Sequence, residues 1–182
     1  MYLSCKPWPR SCLQVYTGDG KGKTTAAFGL AVRAAGRGLK VYIGQFMKKT
    51  VYGELGGAKM LGDLVQVEQY GSTECIPFRE SPAEEDLRLA KEGLARARQI
   101  LQSKTFPIVI LDEINIATHF KLIVEAELYE LVDSRPDSVE LICTGRYAPA
   151  GLIERADLVT EMRVIKHPFE DSGLMARDGI ER

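Results

Sequence analysis

The chain predicts an α/β protein built as a three-layer, doubly wound, mainly parallel sheet of five to six strands. Three observations carry that expectation. First, a glycine-rich loop, Thr17-Gly-Asp-Gly-Lys-Gly-Lys-Thr-Thr25, joins a β-prone run (Leu13, Val15, Tyr16) to an alanine-rich helical run (Ala26, Ala27, Phe28, Leu30, Ala31, Ala34, Ala35). Second, a strongly β-prone stretch, Lys40 to Phe46, follows that helix after a short Gly36-Arg-Gly38 stop, and a right-handed crossover makes the two strands parallel. Third, Phe106-Pro-Ile-Val-Ile-Leu-Asp-Glu113 holds a continuous apolar run, the pattern of a strand buried on both faces, and ends in an acidic pair.

Taken in order, Met1 to about Cys12 forms an irregular arm in which Trp8 can pack on a surface. The strand, loop, helix and strand of the first two observations follow. Met47 to Gly62 is rich in lysine and glycine, and only Ala58, Met60 and Leu61 suggest a short helix. Lys48 and Lys49 leave the carboxyl end of the second strand, within reach of a phosphate ligand. Leu64 to Tyr70 alternates apolar and polar residues and is a third strand near an edge, followed by an irregular loop to Glu80. Ser81, Pro82 and Glu84 make a capping box, and Leu87, Ala90, Leu94, Ala97 and Leu101 mark an amphipathic helix.

Beyond the acidic pair, a helix or helix pair spans about Ile116 to Val132 and stops at Arg135-Pro136. Val139 to Thr144 is a further core strand whose exit carries Arg146. Ala150 to Ala156 is a short helix, Leu158 to Val164 a final strand, and 165–182 a tail of little periodicity. With 182 residues the chain is expected to form one domain over 1–182, with 1–12 as arm.

The loop from Thr17 to Thr25 predicts a phosphate site. Gly18, Gly20 and Gly22 let backbone N–H groups turn inward beside Asp19 and Lys21, and the following helix directs its positive end to the same point. Lys23 adds a full charge, Thr24 offers a hydroxyl to a metal ion, and Thr25 closes the loop. The general phosphate-loop pattern places glycine where this chain has Thr17. Asp112 and Glu113 belong beside a magnesium ion in such a protein, with Glu113 a second ligand or a base for water. Arg146, at the same edge of the sheet, can bridge phosphate oxygens.

Composition excludes several alternatives. A net charge of −1 gives no general attraction to nucleic acid or an anionic membrane. Cys5, Cys12, Cys75 and Cys143 form no CxxC pair, and two histidines cannot make a histidine-rich metal site. No signal peptide or membrane span is apparent, so a cytoplasmic location is expected. At this point a nucleoside triphosphatase, a kinase and a nucleotide-controlled binding module all remain open.

Together, Thr17 to Gly29, Gln45-Phe46 followed by lysine, Gly53-Glu54, Val109 to Glu113, Thr144-Gly-Arg146 and Lys166-His-Pro-Phe169 resemble the phosphate-loop branch of the ATP:cob(I)alamin (corrinoid) adenosyltransferases. Thr17, anomalous in the general motif, fits that family. The resemblance implies a phosphate-loop NTPase (RecA-like) fold. It also implies transfer of the 5′-deoxyadenosyl group of ATP to the cobalt(I) of a corrinoid, with triphosphate released. The nucleophile then arrives with the substrate, and no catalytic Ser, Cys or His is required. Lys23, Thr24, Glu113 and Arg146 become the implied catalytic residues, and Gly18 to Thr25 with Arg146 the nucleotide site. Thr24, Asp112 and Glu113 become the implied ligands of Mg²⁺ or Mn²⁺.

The resemblance further implies a homodimer and leaves room for an electron-donating flavoprotein reductase. Where well-known family members carry a Phe and a Trp after the third strand, this chain reads Tyr70-Gly-Ser-Thr-Glu-Cys-Ile-Pro-Phe78, without Trp. Tyr70, Ile76 or Phe78 are the expected substitutes against the corrinoid.

Overall fold

A computed structural model of the chain describes residues 8–49, 52–72 and 82–181. Its strands are β1 (Leu13–Thr17), β2 (Val41–Phe46), β3 (Val65–Tyr70), β4 (Ile108–Asp112), β5 (Glu140–Thr144) and β6 (Leu158–Glu161). The helices are α1 (Lys23–Ala35), α2 (Gly53–Met60), α3 (Glu84–Ser103), α4 (Ile114–His119), α5 (Glu125–Asp133), α6 (Ala150–Arg155) and α7 (Pro168–Ser172). The six strands form one sheet in the order β3-β2-β4-β5-β1-β6, and every pairing is parallel. All strand carboxyl ends therefore meet at one edge, the side where open α/β sheets bind ligands.

Alternation along the central strands builds two cores. Ile43, Ile108, Ile110 and Ile142 pack with Ala27, Ala31, Ala34 and Ala35 of α1 on one face. Tyr42, Val109, Leu111, Leu141 and Cys143 pack with Ala90, Leu94 and Ala97 of α3 and with Leu128 and Leu131 of α5 on the other. The alanine stripe of α1 has no long side chain to hold the helix off the sheet, so the helix that starts at the phosphate loop lies close against it. Every residue of β2 and β4 is buried, which explains their mainly apolar character up to Gln45 and Asp112 at the carboxyl ends.

Several boundaries differ from expectation. The segment 53–60 is a full helix, because Ala58 packs on the sheet while Gly56 and Gly57 face open space. Helix α3 begins at Glu84 with Ala83 as N-cap; Asp86, in place of Glu84, accepts from the Ala83 N–H at 3.4 Å, and Pro82 precedes the cap. The helix pair after the acidic residues starts at Ile114, two positions early, since Glu113 turns with φ 62° directly into it. Strand β6 stops at Glu161, and the tail contains α7, whose first turn is capped by His167 Nδ1 accepting from the Phe169 N–H.

Candidate nucleotide and metal site

The phosphate loop leaves β1 at Thr17 and is pressed against the end of β6. The Gly20 N–H donates to the Met162 carbonyl at 2.7 Å. A Cβ on Gly18, at φ 92°, would lie 2.4 Å from the same carbonyl oxygen, and one on Gly20 would lie 2.7 Å from it. Only glycine fits this approach, and Gly22, at φ 122°, turns the chain into α1 with no side chain capping the first turn. The loop curls around Lys23, whose ammonium donates to the carbonyls of Gly18 at 2.6 Å and Gly20 at 2.8 Å. Burial lowers the Lys23 pKa, while the carboxylates of Glu113, Asp19 and Asp112 oppose that shift.

Strand register brings several oxygen-bearing side chains together. Gln45 pairs with Asp112 across β2 and β4, and β5 stands between β4 and the loop-bearing β1. Asp112, fully buried, accepts from the Thr24 hydroxyl at 2.9 Å and the Thr144 hydroxyl at 2.7 Å on Oδ1. On Oδ2 it accepts from Lys48 Nζ at 2.8 Å and Gln45 Nε2 at 3.1 Å. Lys48 Nζ also lies 3.3 Å from Thr24 Oγ1 and 3.7 Å from Glu54 Oε1. The Glu113 N–H donates to Thr144 Oγ1 at 3.1 Å. Burial, followed by the neighbouring Asp112 charge, raises the Glu113 pKa.

These groups fit a hard divalent cation. A hydroxyl and a carboxylate 2.9 Å apart are donors of the kind Mg²⁺ and Mn²⁺ take, and the ammonium of Lys48 on both shows that the spot already accepts positive charge. Among the described residues no cluster of three His, Cys, Asp or Glu side chains could hold a metal by itself. A site completed by substrate phosphates fits that donor set.

The remaining expected residues are placed as follows. Arg146 is exposed, beyond Gly145 (φ 128°), near enough for its charge to add to the burial-driven fall of the Lys23 pKa and to oppose the rise at Glu113. The turn that carries it is tied down by Asn115 Nδ2, which donates to the Gly145 carbonyl at 3.1 Å. Asp19 and Thr25 are exposed at the loop. Lys21 is drawn away to the tail, donating to the Ile180 carbonyl and Glu181 Oε1, each at 3.0 Å. Tyr70 is a core residue rather than an open wedge: it is 8 % exposed, its ring meets Phe46, and its hydroxyl donates to Glu68. Ile76 and Phe78 lie outside the described residues.

Thr144 and Glu54 were not singled out as site residues by the sequence. Both lie in motifs that carry the family resemblance, but no role is attached to them there; the position of β5 beside Asp112 shows what Thr144 touches. A cavity of about 680 Å³ lies against the loop, lined by Gly20, Lys21, Arg163, Ile165, His167 and Phe169 among others.

A phosphate loop, an open helix N-terminus and a hydroxyl–carboxylate pair at the carboxyl edge of a parallel sheet define a phosphate-loop nucleotide-binding protein. Comparison with known proteins narrows this class. Residues 9–182 match the family model described as ATP:corrinoid adenosyltransferase BtuR/CobO/CobP. The chain is 37% identical over 173 residues to a corrinoid adenosyltransferase of Escherichia coli K12, covering 94% of this chain and 86% of that protein. It is 33% identical over 188 residues to a corrinoid adenosyltransferase of Sinorhizobium sp, covering 98% and 84%. It is 34% identical to corrinoid adenosyltransferase CobA of Salmonella typhimurium, covering 94% and 86%. The chain belongs to the ATP:corrinoid adenosyltransferase family.

Proposed function

We propose that this chain transfers the 5′-deoxyadenosyl group of ATP to the cobalt(I) of a reduced corrinoid. The cobalt electron pair attacks C5′, a cobalt–carbon bond forms, the C5′–oxygen bond breaks, and its electrons leave on triphosphate. The observation that carries the reading beyond nucleotide binding is the chemistry around the acidic pair. Asp112 is buried and held by Thr24, Thr144, Gln45 and Lys48, so this edge keeps a negative charge fixed in place beside the phosphate loop. Among the described residues, burial raises the Cys143 thiol to about 12, and His119 packs against Tyr147 at 4.3 Å between centroids, which makes either a poor nucleophile. A nucleophile brought by the substrate matches such a site.

In this reading, Gly18 to Thr25 hold the triphosphate, Lys23 neutralises the charge that grows on it as it leaves, and Arg146 binds its exposed side. Thr24, Asp112 and Glu113 would hold Mg²⁺ or Mn²⁺, which when bound supplies further neutralisation of the leaving group. Lys21, although engaged with the tail, stands at the loop's outer rim and marks the wall shared with the apolar cavity. Ile76 and Phe78 remain the candidates for corrinoid contact. A single domain over 1–182 is proposed, with its sequence extremes as arm and tail.

A cytoplasmic setting and an electron-donating flavoprotein reductase suit a reaction that needs cobalt(I). Among the described residues no helix is long and apolar enough to cross a membrane. A homodimer is supported by the exposed apolar side chains Leu158, Val159, Val164 and Ile165 along and beyond the edge strand β6.

Product analysis tests the function. Incubation with ATP, Mg²⁺ and chemically reduced cobalamin is expected to yield a cobalt–carbon bond by absorbance and triphosphate in equal amount. Release of ADP and phosphate without corrinoid would overturn the assignment in favour of a triphosphatase. Elution of the protein as a monomer in light scattering would remove the dimer.

A further inference from the structure

Among the described residues, Lys48 is the one basic side chain set directly on the carboxylate expected to serve the metal. Its backbone is fixed from both sides. Met47, at φ 56°, bends the chain sharply at the end of β2 while its N–H donates to the Tyr70 carbonyl at 3.0 Å. On the other side, a Cβ at Gly71 would lie 2.3 Å from the Lys48 nitrogen, so only glycine lets the two segments pass. The side chain then runs inward, 14% exposed, past the Tyr52 ring at 5.4 Å. It ends at Asp112 Oδ2 (2.8 Å), Thr24 Oγ1 (3.3 Å) and Glu54 Oε1 (3.7 Å).

An ammonium bound at once to the Thr24 hydroxyl and the Asp112 carboxylate has the partners of a divalent ion. Glu54 offers it a second anion nearby, and Glu54 is itself held toward Asp112 by Gln45 Nε2, which donates to Oε1 at 3.4 Å and to Asp112 Oδ2 at 3.1 Å. Two cations cannot share this space without strong repulsion. A lysine stem is long and flexible enough to shift its charge between two carboxylates without moving the backbone.

We infer that Lys48 is a positioning residue that holds the cation's place on Asp112 and Thr24, and yields it by shifting to Glu54 when the metal and nucleotide load. The inference rests on the metal assignment proposed above. Lys48 keeps Asp112 from being an unpaired buried charge between turnovers. It also discourages metal from binding ahead of the nucleotide, because only a cation arriving with phosphates brings enough binding energy to displace the ammonium.

The test uses Mn²⁺ alone as probe, followed by electron paramagnetic resonance, together with melting temperature in EDTA and in Mn²⁺. Lys48→Met is expected to bind Mn²⁺ at least about tenfold more tightly than the wild type in the absence of nucleotide, since the competing charge is gone. The same variant is expected to melt several degrees lower in EDTA, to regain that loss in Mn²⁺, and Lys48→Arg to restore the EDTA value without metal. Should Lys48→Met fail to fold, Lys48→Gln, which keeps a donor for Asp112 but no charge, reads the same two quantities. Equal Mn²⁺ affinity of variant and wild type, with Asp112→Asn abolishing both, overturns the role of Lys48 while the metal assignment stands. A melting loss that Mn²⁺ does not repair also overturns it, as a purely structural contact would behave so. Retention of Mn²⁺ by Asp112→Asn would overturn the metal assignment and, with it, the inference.

Discussion

The Thr144 hydroxyl donates to Asp112 Oδ1 at 2.7 Å and accepts the Glu113 N–H at 3.1 Å, so one buried side chain on β5 holds both acidic residues at the end of β4. The Thr24 hydroxyl meets the same carboxylate oxygen from the phosphate loop. The strand order explains the arrangement, because β5 lies between β4 and β1 and its last residue sits where the loop and the acidic pair meet.

Thr144→Val keeps the shape but removes the hydroxyl, leaving the Glu113 N–H unpaired and Asp112 with one donor fewer. A loss of about 1–3 kcal/mol in stability is expected from the unsatisfied group, visible as a lower Tm. Affinity for the metal–ATP complex is expected to fall roughly tenfold to a hundredfold, as for other groups that orient a metal ligand. Thr144→Ser is expected to restore most of both. Unchanged ATP affinity in Thr144→Val, by calorimetry with Mg²⁺, would remove the residue from the site.

Gly18 and Gly29 lie within one short stretch of chain, yet an added Cβ meets backbone at the first and open space at the second. Gly18→Ala combines a φ of 92° with a contact of 2.4 Å to a backbone oxygen that cannot swing aside. The expected result is a displaced loop, a lower Tm and loss of measurable ATP binding. Gly29→Ala, inside α1 with nothing within 4 Å of the added carbon, is expected to raise stability by about 0.5–1 kcal/mol through helix propensity. Denaturant unfolding of the pair checks both; a stabilised Gly18→Ala would show that the loop does not lean on β6.

Local rules made most of this fold legible. Apolar runs and alternation located the six strands, and the glycine loop with Asp112-Glu113 pointed to the candidate site, because those signals depend on neighbours in sequence. What stayed hidden depended on neighbours in space. Thr144 and Glu54 matter through the strand order and the helix at 53–60, which no local periodicity encodes. Tyr70 misled for the same reason: an aromatic at the end of an edge strand looks available, but α3 covers it and Glu68 takes its hydroxyl. Lys21 sits inside the loop in sequence, yet the tail, distant along the chain, claims its charge.

The cover over Tyr70 is close enough to require glycine in a helix. A Cβ on Gly93 of α3 would lie 2.7 Å from the Tyr70 ring and 2.8 Å from the Phe46 ring. Gly93→Ala therefore sets a propensity gain of about 1 kcal/mol against an overpacking cost of about 1–3 kcal/mol. Both rings are buried and Tyr70 is anchored by its hydroxyl, so neither can retreat, and the variant is expected to be less stable than the wild type. A higher denaturation midpoint would mean that the rings yield more easily than their contacts indicate.

Beneath those rings, Glu68 gathers a network across β2, β3 and α3. Burial by itself would raise its pKa, but donors from Arg96 (3.1 Å to each oxygen), Tyr70, Tyr42 and Gln66 outweigh it and bring the carboxyl down to about 2. Burial first, and then the contacts of this network, keep both tyrosines neutral, with the Tyr70 hydroxyl raised to about 12. A carboxyl whose folded pKa lies below its unfolded value of 4.5 stabilises the fold fully above that value. The contribution is lost as pH falls from 4.5 toward 2, where the folded state also takes up the proton. Glu68→Gln is therefore expected to lower Tm at pH 6 and to lie progressively closer to the wild type as the pH falls through that window. A gap in Tm that stays constant down to pH 2.5 would show that Glu68 contributes shape and hydrogen bonds but not its charge.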